Sequence, residues 1–235
     1  MTLEFIETYP FVLAFILGLI PALVWMWFWL KEDSHPEPAK MLTLSFLGGM
    51  LAVLVVLPFQ KLVYVYLSGE ESLSFFLWAL IEEVFKFTFV YIIALRNKCT
   101  DEPVDDIIYL IVSALGFVTL ENTLFLIEPI RTGDFANTII HGNLRFIGAS
   151  LLHTMSSATI GICMALSFYK TKTQKRLYTL CGIIIATVLH TSFNLFIIRE
   201  SNGNIFFIFG AVWVSIVVLL LLFEKVKHIT QKPVL

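Results

Sequence analysis

Several ionisable side chains occupy the middle of long apolar stretches in this sequence. Such groups are rare inside membrane-spanning helices, where they usually face the bundle interior or a water-filled cavity. The clearest case is the stretch "LWALIEEVFKFTFVYII", in which two adjacent carboxylates and one ammonium interrupt an apolar run. The full set consists of Glu82, Glu83, Lys86, Glu121, His153 and His190, accompanied by the amides Asn122 and Asn194.

Carboxylates and imidazoles of this kind could activate water for hydrolysis. A buried glutamate can take a proton from water, and His or Asn side chains can stabilise the oxyanion of the tetrahedral intermediate that forms when this water attacks a carbonyl. Alternatively, two histidines and a glutamate could hold a zinc ion with an open fourth position. The zincin motif His-Glu-x-x-His and the serine-hydrolase motif Gly-x-Ser-x-Gly are both absent. An ion- or proton-coupled transporter, which also uses intramembrane Glu and His, is the alternative function.

The composition indicates which class of protein carries these residues. The chain has 235 residues, of which 58% are hydrophobic and 14% are charged. A soluble domain is typically about half apolar and about a quarter charged, so we predict a polytopic membrane protein in contact with the lipid bilayer. No basic tail or patch stands out, which argues against a nucleic-acid partner. The three scattered cysteines predict neither a disulfide framework nor a paired zinc motif.

Seven apolar segments are long enough for a membrane helix, which needs roughly 20 residues. The sequence therefore predicts an all-α transmembrane bundle that forms one integral-membrane domain over residues 1–235. The predicted spans are residues 10–30, 41–60, 73–95, 107–127, 144–169, 177–198 and 205–223. Lys and Arg concentrate in the loops that are cytoplasmic if the N-terminus lies outside. Because cytoplasmic loops are enriched in these residues, we predict an outer N-terminus and a cytoplasmic C-terminus.

The polar residues of four spans lie at a similar predicted depth. At about 1.5 Å of rise per residue, Glu82, Glu121 and the two histidines each lie roughly 9–14 Å from the outer end of their span. We therefore expect one polar layer in the outer half of a ~30 Å hydrocarbon core. Glu82 and Lys86 are four residues apart, so we expect Lys86 to compensate the charge of Glu82 on one helix face. His190 and Asn194 have the same spacing.

Each of these groups, taken alone, also fits a purely structural role. A Glu–Lys pair can neutralise a helix for insertion, and a single histidine or asparagine can hydrogen-bond between helices. Ser156 and Ser157 fit close helix packing, and Arg145 at the start of the fifth span fits snorkelling toward the interface. Three carboxylates and two histidines at one depth are too costly for packing alone, which favours a shared site.

Several segments, in order along the chain, resemble a known protein family. They are "WLKEDSHPEP", "EEVFK", "DDIIYLIVSALGFVTLENTLFL", "RFIGASLLHTMSSATIG" and "HTSFN". This ordered set resembles the PrsW-type family of bacterial intramembrane proteases, which are relatives of the type II CAAX prenyl endopeptidases. The likeness runs from about Pro21 to Asn194. One departure is Phe193, where the family usually has Trp.

The resemblance implies site-1 cleavage of a single-pass membrane protein of the anti-sigma factor type, which would release a stress response. It implies a multi-pass protein of the bacterial inner or plasma membrane. Carried over by position, the catalytic residues are Glu82, Glu83, Glu121, His153, His190 and Asn194, and the supporting residues are Lys86, Asn122 and Arg145.

The resemblance does not decide whether the site uses a metal. Because the carboxylates outnumber the histidines, we expect a metal-free site with Glu82 as the base, and zinc is the possible cofactor. If a metal is present, the expected ligands are His153, His190, Glu83 and Glu121. The segment 128–143 is predicted as the longest outer loop, which either gates substrate entry or serves as a plain connector.

Overall fold

The computed structural model describes residues 9–67, 69–133, 135–199 and 205–230; within these ranges the side chains of 135–147, 197–199, 205–209 and 212 are not described. The described residues form seven α-helices and no strand. The helices are α1 (Pro10–Lys31), α2 (Ala39–Leu67), α3 (Glu71–Val90), α4 (Pro103–Arg131), α5 (Phe135–Ala165), α6 (Lys172–Arg199) and α7 (Ile205–Lys227). A π-helical turn, Tyr91–Leu95, continues α3. The all-α prediction is confirmed for the described part of the chain.

Four of these helices are long and apolar enough to cross a membrane. They are α1, α2, α4 and the Lys172–Phe196 part of α6, with mean hydropathy between 1.6 and 2.4 in their most apolar windows. Helix α3 carries three charged residues near its middle, which lowers its hydropathy. The total of seven spans and the orientation of the termini stay predictions.

Helix α4 forms the centre of the bundle. Its most apolar window is 78% buried, and it packs against α1, α2 and α5. On one side, Leu115 of α4 belongs to a core that includes Trp29 of α1 and Phe223 of α7. Because α4 is surrounded, a polar residue in its C-terminal half faces neighbouring helices.

The close approach of α4 to its neighbours depends on glycine. A β-carbon on Gly49 of α2 would overlap the carbonyl oxygen of Ser113, and one on Gly116 of α4 would overlap the carbonyl oxygen of Phe46. Small residues let helix backbones approach closely in a membrane bundle. This packing fixes α4 against α2, the helix whose C-terminal part carries a further polar residue of the site.

The prediction of a long outer loop over residues 128–143 is wrong. Helix α4 continues to Arg131, and α5 already begins at Phe135. The turn between them includes Gly133, whose φ of 70° is the left-handed conformation that glycine adopts readily. The sequence "FANTIIHGN" is too polar for a predicted span. Its polarity does not prevent helix formation, so α5 extends beyond its apolar run.

Candidate active site

A buried polar cluster lies where α3, α4, α5 and α6 meet. Hydrogen bonds and ion pairs connect Glu82, Glu83, Lys86, Glu121, His153 and His190. Glu83 and Lys86 are fully buried, and Glu82 and the two histidines are at most 5% exposed. The side chain of Glu121 is the most open, with 19% exposure. The structure thus brings together all the ionisable residues that the common depth predicted.

Glu83 anchors the hydrogen bonds of the cluster. Its Oε1 accepts a bond of 2.6 Å from Lys86 Nζ and one of 2.8 Å from His190 Nδ1. The prediction that Lys86 compensates Glu82 is therefore wrong in its partner. Glu83 and Lys86 are three residues apart, and residues at this spacing are also neighbours on a helix. The hydrogen bond from His190 holds the Glu83 carboxylate beside Lys86.

His153 connects Lys86 to Glu121. Lys86 Nζ lies 3.1 Å from His153 Nδ1, and His153 Nε2 lies 3.2 Å from Glu121 Oε2. The ring also packs against Phe117, with centroids 5.2 Å apart. Phe117 thus closes the apolar side of the cluster.

Glu82 is held by Gln60, a residue that the sequence analysis did not single out. Gln60 Nε2 donates to Glu82 Oε1 at 2.7 Å, and Trp78 Nε1 donates to the backbone carbonyl oxygen of Gln60 at 3.1 Å. Gln60 stands at the end of the predicted second span, whereas α2 continues to Leu67. An amide at the C-terminal end of an apolar run was the available signal, but without partners it resembles an ordinary span boundary.

The second carboxylate oxygen of Glu82 faces the histidines. It is buried, it has no hydrogen-bond partner among the described residues, and it lies 3.6 Å from His190 Nε2. The rings of His153 and His190 meet edge to face, with centroids 4.9 Å apart. A buried acceptor without a partner requires an explanation, such as a bound ion or water.

Glu82, His153 and His190 form a donor set that fits a metal ion. Each offers one ligand atom, and these atoms lie within 4.8 Å of one another. Ligands bonded at about 2.1 Å to a tetrahedral metal lie about 3.4 Å apart, close to the 3.6 Å between Glu82 Oε2 and His190 Nε2. Since His190 donates its Nδ1–H to Glu83, its Nε2 is left as an acceptor, an arrangement common among metal-binding histidines.

This donor set differs from the one expected from the sequence. It contains Glu82 where Glu83 was expected, and Lys86 and His190 both engage Glu83 Oε1. The other Glu83 oxygen, like Glu82 Oε2, is buried without a hydrogen-bond partner among the described residues. Glu121 contacts His153 and does not belong to the group of three. Glu82 and Glu83 are one helix position apart, and their side-chain contacts show which of the two belongs to the group of three.

The remaining predicted residues lie around the cluster. Asn122 is buried next to Glu121 in α4, and Asn194 is partly buried one turn beyond His190 in α6. Ser156 and Ser157 are fully buried in α5, consistent with their predicted packing role. The side chain of Arg145 lies outside the described residues.

A family model described as "PrsW family intramembrane metalloprotease" matches residues 37–222. The chain belongs to this family. The match includes every residue of the polar cluster, and it confirms the resemblance seen in the sequence. PrsW-family membership makes the chain an intramembrane protease and therefore a hydrolase. The transporter alternative loses its support, and the family's description as metalloproteases runs against the expectation of a metal-free site.

Similar full-length proteins support the PrsW assignment. Protease PrsW of Geobacillus kaustophilus is 27% identical over 79% of this chain and 80% of its own length. Protease PrsW of Clostridioides difficile is 29% identical over 79% of both chains. Protease PrsW of Bacillus subtilis is 28% identical over 79% of this chain and 83% of its own. No solved structure matches the chain significantly.

Proposed function

We propose that this protease performs site-1 cleavage, cutting a single-pass protein in the extracytoplasmic half of the bacterial plasma membrane. The observation that carries the proposal is the centre formed by Glu82, His153 and His190, three side chains that separate helices bring together inside the bundle. The predicted seven-span topology with an outer N-terminus supports the side of cleavage, because it places this centre in the outer half. The resemblance in sequence supports an anti-sigma factor as the type of substrate.

A divalent metal such as zinc is the cofactor we assign to this centre, held by Glu82, His153 and His190. When bound, such an ion polarises a carbonyl oxygen and makes a bound water a stronger nucleophile. Gln60 supports the arrangement by fixing Glu82 Oε1, which leaves Oε2 directed toward His190. Glu83 fixes His190 through Nδ1. These contacts orient the donors before any substrate arrives.

Glu121 is the carboxylate we assign to proton transfer. Glu82 belongs to the donor set and Glu83 is enclosed by Lys86 and His190, whereas Glu121 retains partial exposure next to His153. It would accept the proton of the attacking water and return it to the leaving amine nitrogen. This assignment replaces the sequence-based choice of Glu82 as the base, because we place Glu82 in the donor set with His153 and His190.

Further roles follow from position. Lys86 balances the charge of Glu83 and lies 3.1 Å from His153 Nδ1, so it links α3 to α5. Asn194 follows His190 by one helical turn, and we assign its amide to the carbonyl oxygen of the substrate. We assign Asn122 and Arg145 supporting roles beside Glu121 and at the start of the fifth predicted span.

The experiment that tests this function is cleavage of a single-pass protein by the purified enzyme in liposomes. We expect Glu82→Gln and His190→Ala to abolish the product while the protein remains monodisperse and helical. Glu71→Gln, an exposed carboxylate on the same helix as Glu82, is the matched control and should cut at the wild-type rate. Wild-type activity in the two site variants would overturn the proposal.

A further inference from the structure

A cavity lies toward the end of the bundle that carries the π-helical turn and the start of α6. It has a volume of about 670 Å³ and is bounded by the π-helical turn Tyr91–Leu95, the start of α4, the end of α5 and the start of α6. Along α6, the distance from Lys175 to His190 is about 22 Å at the α-helical rise. The basic residues of the cavity therefore lie well away from the site assigned to proteolysis, whereas its inner wall at Ile183 lies about 10 Å from His190 along α6.

The lining of this cavity is basic on one side. Lys172, Lys175 and Arg176 line it from α6, and all three are exposed. Asp106 of α4 is the single carboxylate in the lining. Three cations against one carboxylate leave an excess of two positive charges, which suits an anionic group.

The opposite side of the cavity is apolar. Phe87 and Tyr91 line it from α3 and its π-helical turn, and Leu180 and Ile183 line it from α6. Tyr91 is 42% exposed and Leu180 is 54% exposed, so this wall opens to the side of the bundle. Since α6 contains a candidate membrane span, this side is the one that meets lipid chains. A π-helical turn widens the helix locally, and such turns often occur at functional sites.

We propose that this cavity binds an anionic phospholipid, with the phosphate at Lys172, Lys175 and Arg176 and an acyl chain against the apolar wall. Basic pockets between membrane helices on the cytoplasmic side are known to suit anionic headgroups. The predicted orientation places this cavity on that side. A soluble phosphate would use the cations but not the apolar wall, which is why the structure favours a lipid.

The position of the cavity gives the lipid a structural consequence. Its walls come from α3 and α6, and the same two helices carry Glu82 and His190 further along. A lipid between them bridges two helices whose spacing sets the distance between these side chains. Binding itself does not depend on the proposed proteolysis, so the two proposals fail separately.

Lipid retention tests the proposal. The purified full chain is equilibrated with equal amounts of phosphatidylglycerol and phosphatidylcholine in detergent, and bound lipid is measured by native mass spectrometry. We expect phosphatidylglycerol to be retained preferentially, and the double variant Lys175→Gln/Arg176→Gln to lower its affinity by about tenfold or more. Lys31→Gln/Lys225→Gln removes the same charge at the same end of the bundle, outside the cavity, and should retain the lipid.

A second variant tests the shape of the cavity without changing its charge. Thr179→Trp, which places a large ring in the lining, should also lower the retention of phosphatidylglycerol. Equal loss in the control double variant would show a general surface attraction and overturn the proposal. Equal retention of phosphatidylcholine would also overturn it. Displacement of the lipid by an equal concentration of glycerol 3-phosphate would show a site for a small soluble anion and would contradict the lipid assignment.

Discussion

Replacing Gln60 tests whether the contacts around Glu82 matter to the chemistry. Gln60→Leu keeps the size of the side chain and removes the 2.7 Å hydrogen bond to Glu82 Oε1. A hydrogen bond to a charged group contributes about 1.5–3 kcal/mol. Loss of this bond frees the carboxylate to rotate away from His190.

The expected effect of Gln60→Leu is a decrease in kcat of about 10- to 100-fold, which is the usual range for residues that orient metal ligands. KM should change little, because Gln60 contacts Glu82 and is not assigned to the substrate. Affinity for the metal should fall together with kcat. A residue that only stabilised the fold would lower the melting temperature and leave the kcat of the folded fraction unchanged.

The assay measures cleavage of a single-pass substrate in liposomes, together with the metal bound per chain at a series of free zinc concentrations. Gln174→Leu, at an exposed glutamine that contacts Thr171 at the start of α6, is the matched control and should keep wild-type kcat and zinc affinity. Wild-type kcat and wild-type zinc affinity in folded Gln60→Leu protein would refute the orienting role of Gln60.

Three further perturbations separate the parts of the account. Glu121→Gln should keep the metal but lower kcat by about 10²- to 10⁴-fold, the usual loss for a general acid–base group. The control Glu128→Gln, at an exposed position of the same helix, should leave kcat unchanged. Loss of metal in Glu121→Gln would contradict the role of Glu121 in proton transfer. Chelation should abolish cleavage and zinc should restore it, while Glu82→Gln should neither bind zinc nor respond to it, as measured by elemental analysis and activity. Gly116→Ala should destabilise the fold by about 1–3 kcal/mol through overpacking against α2. Gly69→Ala should not, because its added β-carbon meets no atom within 4 Å. Equal melting temperatures for the two variants would count against the close packing of α2 and α4.

The grouping of the site residues could be predicted from the sequence because helix rise is regular. Glu82, Glu121 and the two histidines stand out as polar groups in apolar runs, and a fixed rise per residue converts their positions into depth. The structure brings these residues into contact as the common depth requires. The helices could also be predicted from the sequence, since each apolar run is long enough for a span.

The contacts inside the site could not be predicted in the same way. Whether Lys86 pairs with Glu82 or Glu83 depends on which carboxylate a histidine from α6 also reaches, and a single helix carries no such information. Gln60 ends an apolar run, so only the extension of α2 to Leu67 and the approach of α3 give it a partner.

The limits of a membrane span are not the limits of a helix. An apolar run ends where polar residues begin, but the polar residues 135–143 are nevertheless part of helix α5. The predicted outer loop failed for this reason. The same effect explains why α4 begins at Pro103, before its predicted span.

The most direct test of the account is to map the products of cleavage. The purified enzyme is incubated in liposomes with a single-pass substrate of known orientation, and the new termini are identified by mass spectrometry. We predict one cut in the extracytoplasmic half of the substrate's membrane segment, made by wild-type and Glu71→Gln enzyme and absent with Glu82→Gln. A cut in the cytoplasmic half would contradict the proposed orientation, and the same product from Glu82→Gln would contradict the assignment of the active site.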